Sequence, residues 1–172
     1  MSALRNIACF VFLASVAAIP MAFAEQASRT VVIPAGRDAA YDKYHYAPAI
    51  RVGDMVIVSG IPGDQGATYE EKIHHLFEEL KTTLQAAGAQ MDDVVEIDTY
   101  HSAVRNTAEF DAEFKEFSSV YNDYFPKGYP AWTAVGTTAL LNPDAPVEMR
   151  AVAIIGSGRN PQVSRASVAK SP

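Results

Sequence analysis

Apolar residues along this chain change their period several times, and each change predicts an element. From Ala49 to Ser59 the pattern first alternates through Ile50 and Val52, then runs apolar through Met55, Val56, Ile57 and Val58. Gly53-Asp54 divides the two halves, so the segment predicts a β-hairpin with Gly53 at positive φ. Ser59-Gly60 and Pro62-Gly63 read as the end of its second strand. The period then lengthens. Ile73, Leu76, Phe77, Leu80, Leu84 and Ala87 recur at helical spacing, behind a capping box of Thr68 and Glu71 and ahead of Gly88 as the stop. Asp93 to Tyr100 alternates again, predicting a strand with Val94, Glu96, Asp98 and Tyr100 on one face. A second helix follows over Thr107 to Tyr124, with Phe110, Phe114, Phe117, Tyr121 and Tyr124 as a core-type aromatic stripe and Pro126 as its stop. Tyr129 to Thr138 and Val147 to Ile155 supply two last strands.

Strand, strand, helix, strand, helix, strand, strand is the order of an α+β fold, a mixed sheet with two helices packed on one face. Such a layer leaves the other sheet face bare. Val56, Val58, Val152 and Ile154 are expected there, and an apolar open face predicts burial by self-association.

The two ends have a different composition. Arg5, an apolar run from Ile7 to Ala18 and Ala22-Phe23-Ala24 form a signal-peptide pattern over residues 1–24. The run is shorter than the roughly 20 residues that span a bilayer. Export with cleavage after Ala24 is therefore expected, to a secreted or periplasmic location with no membrane anchor. The one cysteine, Cys9, would leave with that segment, and the mature chain would have neither thiol chemistry nor disulfides. Residues 156–172 are rich in Ser, Arg, Asn and Pro and read as a mobile tail. Residues 25–155 remain as one domain.

Net charge of −6 gives no basic face for phosphates, so nucleic acid is not an expected partner. His45, His74, His75 and His101 lack metal-ligand spacing, and adjacent helical side chains such as His74 and His75 diverge by about 100°. No nucleophile elbow, P-loop or dinucleotide fingerprint occurs in the chain. No metal or cofactor is implied.

Two blocks carry a more specific signal. One is Tyr46-Ala47-Pro48-Ala49-Ile50-Arg51-Val52-Gly53 leading to Val58-Ser59-Gly60. The other is Phe125-Pro126-Lys127-Gly128-Tyr129-Pro130-Ala131, followed by Leu141-Asn142-Pro143 and Val147-Glu148-Met149-Arg150-Ala151-Val152-Ala153. With Ala86-Ala87-Gly88 and Asp92-Asp93-Val94-Val95 between them, residues 44–155 resemble the Rid/YjgF family of reactive-intermediate deaminases, also labelled endoribonuclease L-PSP-like. The resemblance implies a chorismate-mutase-like subunit in a homotrimer, with clefts between subunits that hydrolyse enamines and imines of 2-oxo acids. It places Glu148 as the residue that activates water. Tyr46, Ser59, Gly60 and Tyr129 would lie beside the ligand, and Ser118 falls where many members have asparagine.

The resemblance breaks at Trp132, where the family carries the arginine that grips a substrate carboxylate. Losing such a contact removes about 1.5–3 kcal/mol of charge-assisted binding. Two roles are open to Trp132: filler at a subunit boundary, or an aromatic wall shared with Tyr46 and Tyr129 against a planar ligand. Two are open to Arg150, which shares a strand face with Glu148: a replacement cation in the cleft, or a partner for Glu148 or a neighbouring carboxylate. The expectation is a small-molecule cleft that is either a divergent imine or enamine hydrolase or a ligand-binding site without turnover. The alternatives are the family's 2-imino acid deaminase and a structural trimer with an inert cleft.

Overall fold

The computed structural model describes residues 28–166, so the expected signal peptide lies outside the described residues. The hairpin forms as the pattern predicts: β2 (Ala49–Val52) and β3 (Met55–Pro62) pair antiparallel about Gly53 at φ +59°. Helix α2 (Tyr69–Ala86) begins at Thr68 with both halves of the capping box made, and Gly88 follows it at φ +86°. Strand β4 (Val94–His101), helix α3 (Thr107–Tyr124), β5 (Ala131–Gly136) and β6 (Val147–Ile154) complete the expected order. Two elements precede the hairpin that periodicity does not predict: β1 (Arg29–Val32) and the short helix α1 (Asp38–Asp42).

The six strands form one mixed sheet in the order β1-β2-β3-β6-β4-β5, with the β4–β5 pair parallel and the rest antiparallel. Helices α2 and α3 cover one face. Ile73, Phe77, Leu80 and Leu84 of α2 and Phe117 of α3 are fully buried, as are Ile97, Met149 and Ala153 of the sheet. A helix stripe and a strand face thus close one core, as a two-layer α+β fold requires.

Several positions differ from expectation. Val56 and Val58 are buried in the core and not on the open face; Met55 and Ile57 take that face, paired with Ile154 and Val152. Ser59-Gly60 does not end β3. It sits where the register to β6 shifts between Val58 and Ile61, a bulge that lets the strand continue to Pro62. A second shift, between Val94 and Glu96, turns Val94 into the core, away from Glu96, Asp98 and Tyr100. The tail expected from Gly156 is tied down over its first residues. The Asp93 carboxylate accepts the N–H groups of Gly156 (2.9 Å) and Gly158 (3.1 Å), and a 3-10 turn covers Ser157–Arg159. Among the described residues no helix is long and apolar enough to cross a membrane.

Candidate functional site

Strand β6 alternates strictly. Val147, Met149, Ala151 and Ala153 enter the core, which turns Glu148, Arg150, Val152 and Ile154 to the open face. Glu148 lies opposite Pro62 of β3 on one side and Tyr100 of β4 on the other. The bulge brings Gly60 against it: a Cβ at Gly60 would overlap the Glu148 Oε1, so the missing side chain is the space the carboxyl occupies. Burial raises the Glu148 carboxyl above its ordinary range, and no neighbouring charge or hydrogen bond contributes. A half-buried carboxyl without a partner, raised above the usual carboxylate range, is suited to take and return a proton.

Ser59 is occupied elsewhere. Its hydroxyl donates to the Ala47 carbonyl (2.7 Å) and its N–H to the Pro48 carbonyl (3.0 Å), stapling the segment before β2 to the bulge. That segment turns at His45, the one described non-glycine residue at positive φ (+59°), and leaves Tyr46 exposed at the head of β2. Ser59, Gly60 and Glu148 thus lie on the adjacent strands β3 and β6, and the segment that follows Tyr46 is stapled to Ser59 beside them.

The remaining expected residues lie elsewhere in the chain. Trp132 registers beside the buried Ile97 and points to the helix layer. Its indole packs against Phe114, Phe117 and Tyr121 of α3 at centroid distances of 4.8, 5.5 and 4.7 Å, and its Nε1 donates to Thr99 Oγ1 (3.0 Å). Tyr129 is exposed before β5, its ring 6.5 Å from Tyr121, and Ser118 is half-buried on α3. Tyr46 approaches from the opposite side of the sheet, with β3, β6 and β4 between. Within one chain the aromatic wall of Tyr46, Tyr129 and Trp132 is therefore not formed, and Trp132 serves as packing under α3.

Arg150 pairs not with Glu148 but with Asp98 directly across on β4, Nη1 to Oδ2 at 2.6 Å, and with Glu96 at 3.4 Å. His74 Nδ1 meets the Tyr124 hydroxyl (3.2 Å), and no cluster of three or more metal-capable side chains occurs among the described residues.

Sequence reasoning missed a buried polar chain. Glu113 Oε1 accepts from the Tyr69 hydroxyl and contacts His101 Nδ1, both at 3.0 Å, and His101 Nε2 meets Thr99 Oγ1 at 2.9 Å. A carboxylate only accepts, so Nδ1 carries a proton toward Glu113, and Thr99 Oγ1 accepts the indole N–H. Burial, then Glu113, pushes the Tyr69 phenol well above its usual range. The only sequence signal was Thr99 and His101 on the apolar face of β4. A groove of about 760 Å³ between Asn106, Phe110, Ala134 and Val135 lies beside β5, and Glu148 is not among its lining residues. Arg105, its one charged lining side chain, pairs with Glu109 at 3.1 Å.

The comparisons with known proteins agree with this architecture. The family model described as endoribonuclease L-PSP matches residues 37–155. The RutC family protein YjgH of Escherichia coli is 34% identical over 70% of this chain and 92% of its own length. A 2-iminobutanoate/2-iminopropanoate deaminase of Dermatophagoides farinae is 30% identical over 64% of this chain and 85% of its own. A YjgF/YER057c/UK114 family member from Mycobacterium tuberculosis superposes with a TM-score of 0.63 at 27% identity, over 74% of this chain and all of that one. The matched span contains both strands that hold Gly60 and Glu148, and the chain belongs to the endoribonuclease L-PSP family, that of the Rid/YjgF proteins.

Proposed function

We propose that this protein is a small-molecule hydrolase of the imine and enamine class, with Glu148 as the group that manages protons. The observation that carries the reading is the half-buried Glu148 carboxyl beneath Gly60, raised by burial alone. In the ionised form it takes a proton from a water that attacks the C=N carbon. Glu148 returns that proton to the nitrogen, giving a carbinolamine, and then carries the hydroxyl proton to the nitrogen as the C–N bond breaks, releasing a carbonyl compound and ammonia. The name of the Dermatophagoides farinae relative supports this reaction class. The open face carries Glu96, Asp98 and Glu148 against Arg150, and the chain has net charge −6, which favours a small ligand over RNA.

The reading includes assembly and export. A homotrimer would cover the open face and bring Ser118, Tyr129 and the β5 edge of one copy toward the Tyr46–Glu148 region of the next. Cleavage after Ala24 would release it outside the cytoplasm.

The test is ammonia release from a panel of imines generated in situ, 2-iminopropanoate among them, by wild type and Glu148→Gln. A loss of about 10²-fold or more in Glu148→Gln is expected for a general base. Equal rates in the two proteins would remove Glu148 from the mechanism. No turnover by wild type on any member would leave ligand binding without catalysis as the reading.

A further inference from the structure

Strands β2, β3, β4 and β6, which frame Glu148, contain two cationic side chains, Arg51 and Arg150. Arg51 is turned to the helix side, where Nη1 donates to the Ala87 carbonyl (3.0 Å) and Nε to the Gly53 carbonyl (2.8 Å). Arg150 is on the right face and close enough. It stands two residues along β6 from Glu148, roughly 6.5–7 Å by strand rise, a span its side chain can cover. Yet it makes no contact with Glu148, and no charge contributes to the Glu148 shift.

The reason is cross-strand register. Asp98 lies directly opposite Arg150, and Glu96 lies two residues back on the same face of β4. Asp98 holds the guanidinium at 2.6 Å and Glu96 adds a looser contact at 3.4 Å. The Asp98 carboxylate is the less exposed of the two, at 18% against 48% for Glu96, so it is the stronger hold. A ligand carboxylate arriving beside Glu148 therefore meets a like charge and an arginine already engaged.

We propose that Asp98 is a specificity-determining residue of the Glu148 site: by engaging Arg150 across the β4–β6 pair it keeps the site for C=N compounds without a carboxylate. This rests on the function proposed above and narrows its substrates to uncharged imines and enamines. Asp98 acts through Arg150 and touches no reacting atom.

Binding separates this idea from the hydrolase reading. Calorimetry would compare pyruvate with its methyl ester, the same carbonyl with and without the charge, on wild type, Asp98→Asn, Asp98→Glu and Asp98→Asn/Arg150→Ala. Wild type is expected to bind the ester at least as tightly as pyruvate. Asp98→Asn should tighten pyruvate about tenfold or more, the gain of a charge-assisted contact, and leave the ester within about twofold. Asp98→Glu should behave as wild type, and Arg150→Ala should erase the gain. Pyruvate affinity unchanged in Asp98→Asn, a gain that survives Arg150→Ala, or binding of neither ligand by any of the proteins would overturn the proposal. A binding shift as expected in a protein without turnover would sink the hydrolase and leave the role of Asp98 standing.

Discussion

Gly60 and Glu148 constrain one another. The carboxyl occupies the volume of an absent side chain, so Gly60→Ala must push Glu148 aside or push the bulge apart. Overpacking of this kind costs about 1–3 kcal/mol; thermal melts of Gly60→Ala should show the loss, together with loss of imine hydrolysis. Ionisation of Glu148 adds a pH signature. Its folded pKa stands above the unfolded value, so the folded state binds the proton more tightly, and stability falls as pH rises from the unfolded to the folded pKa. Measured against wild type, the Tm of Glu148→Gln should therefore improve between pH 4 and pH 8; a constant or shrinking difference would mean that the carboxyl is not strained by burial. That Glu148 and Arg150 share a face was legible, because β6 alternates without interruption. The partner of Arg150 was not. Asp98 reaches it through a β4–β6 register that depends on strand order, and nothing local encodes strand order. Trp132 was ambiguous for a related reason: β5 has small or polar residues on both sides of it, so its pattern does not say which face is buried.

Among elements, α2 was the easiest to read and the reason is chemical. Thr68 Oγ1 accepts the Glu71 N–H at 3.2 Å while the Glu71 carboxylate accepts the Thr68 N–H at 3.0 Å, a reciprocal pair with a fixed spacing. These contacts hold the Glu71 carboxyl below its usual range. Thr68→Ala should cost about 1 kcal/mol in urea unfolding, with the m-value unchanged. Strand β3 was harder. Four consecutive apolar residues, Met55 to Val58, carry no parity, and the bulge at Ser59-Gly60 resembles a strand end because glycine serves both. Strand β1 and helix α1 escaped because four and five residues are too few to establish a period. Their placement comes from pairing with β2, from the Tyr46 N–H bond to the Ala40 carbonyl, and from Arg37 reaching Glu79 of α2 at 2.7 Å.

At the scale of the molecule, the open sheet face divides in two. Val31, Ile50, Met55, Ile57, Val152 and Ile154 form an apolar half over β1, β2, β3 and one end of β6, while Glu96, Asp98, Tyr100, Glu148 and Arg150 form a polar half over β4 and the other end. Met55 and Ile154, paired across β3 and β6, are 41% and 44% exposed. The proposed assembly must cover them. Ile154→Asp is accordingly expected to shift the protein to monomers in sedimentation analysis while its helical circular dichroism persists. An unaltered sedimentation coefficient would place the contact elsewhere. The α+β order was legible because each helix and strand announces its own period. Self-association was expected from the bare face, but which valines form that face awaited the register.

The chain contains a single tryptophan, and the fold sets it where the last strand joins. Strand β5 is held by parallel pairing to β4 alone, with α3 laid over the indole. Light emitted by Trp132 thus reports on one seam of the molecule, between β5 and α3, and on the hydroxyl of Thr99 that anchors it. Detachment of that edge can be followed optically, apart from melting of the α2 layer, with no label added.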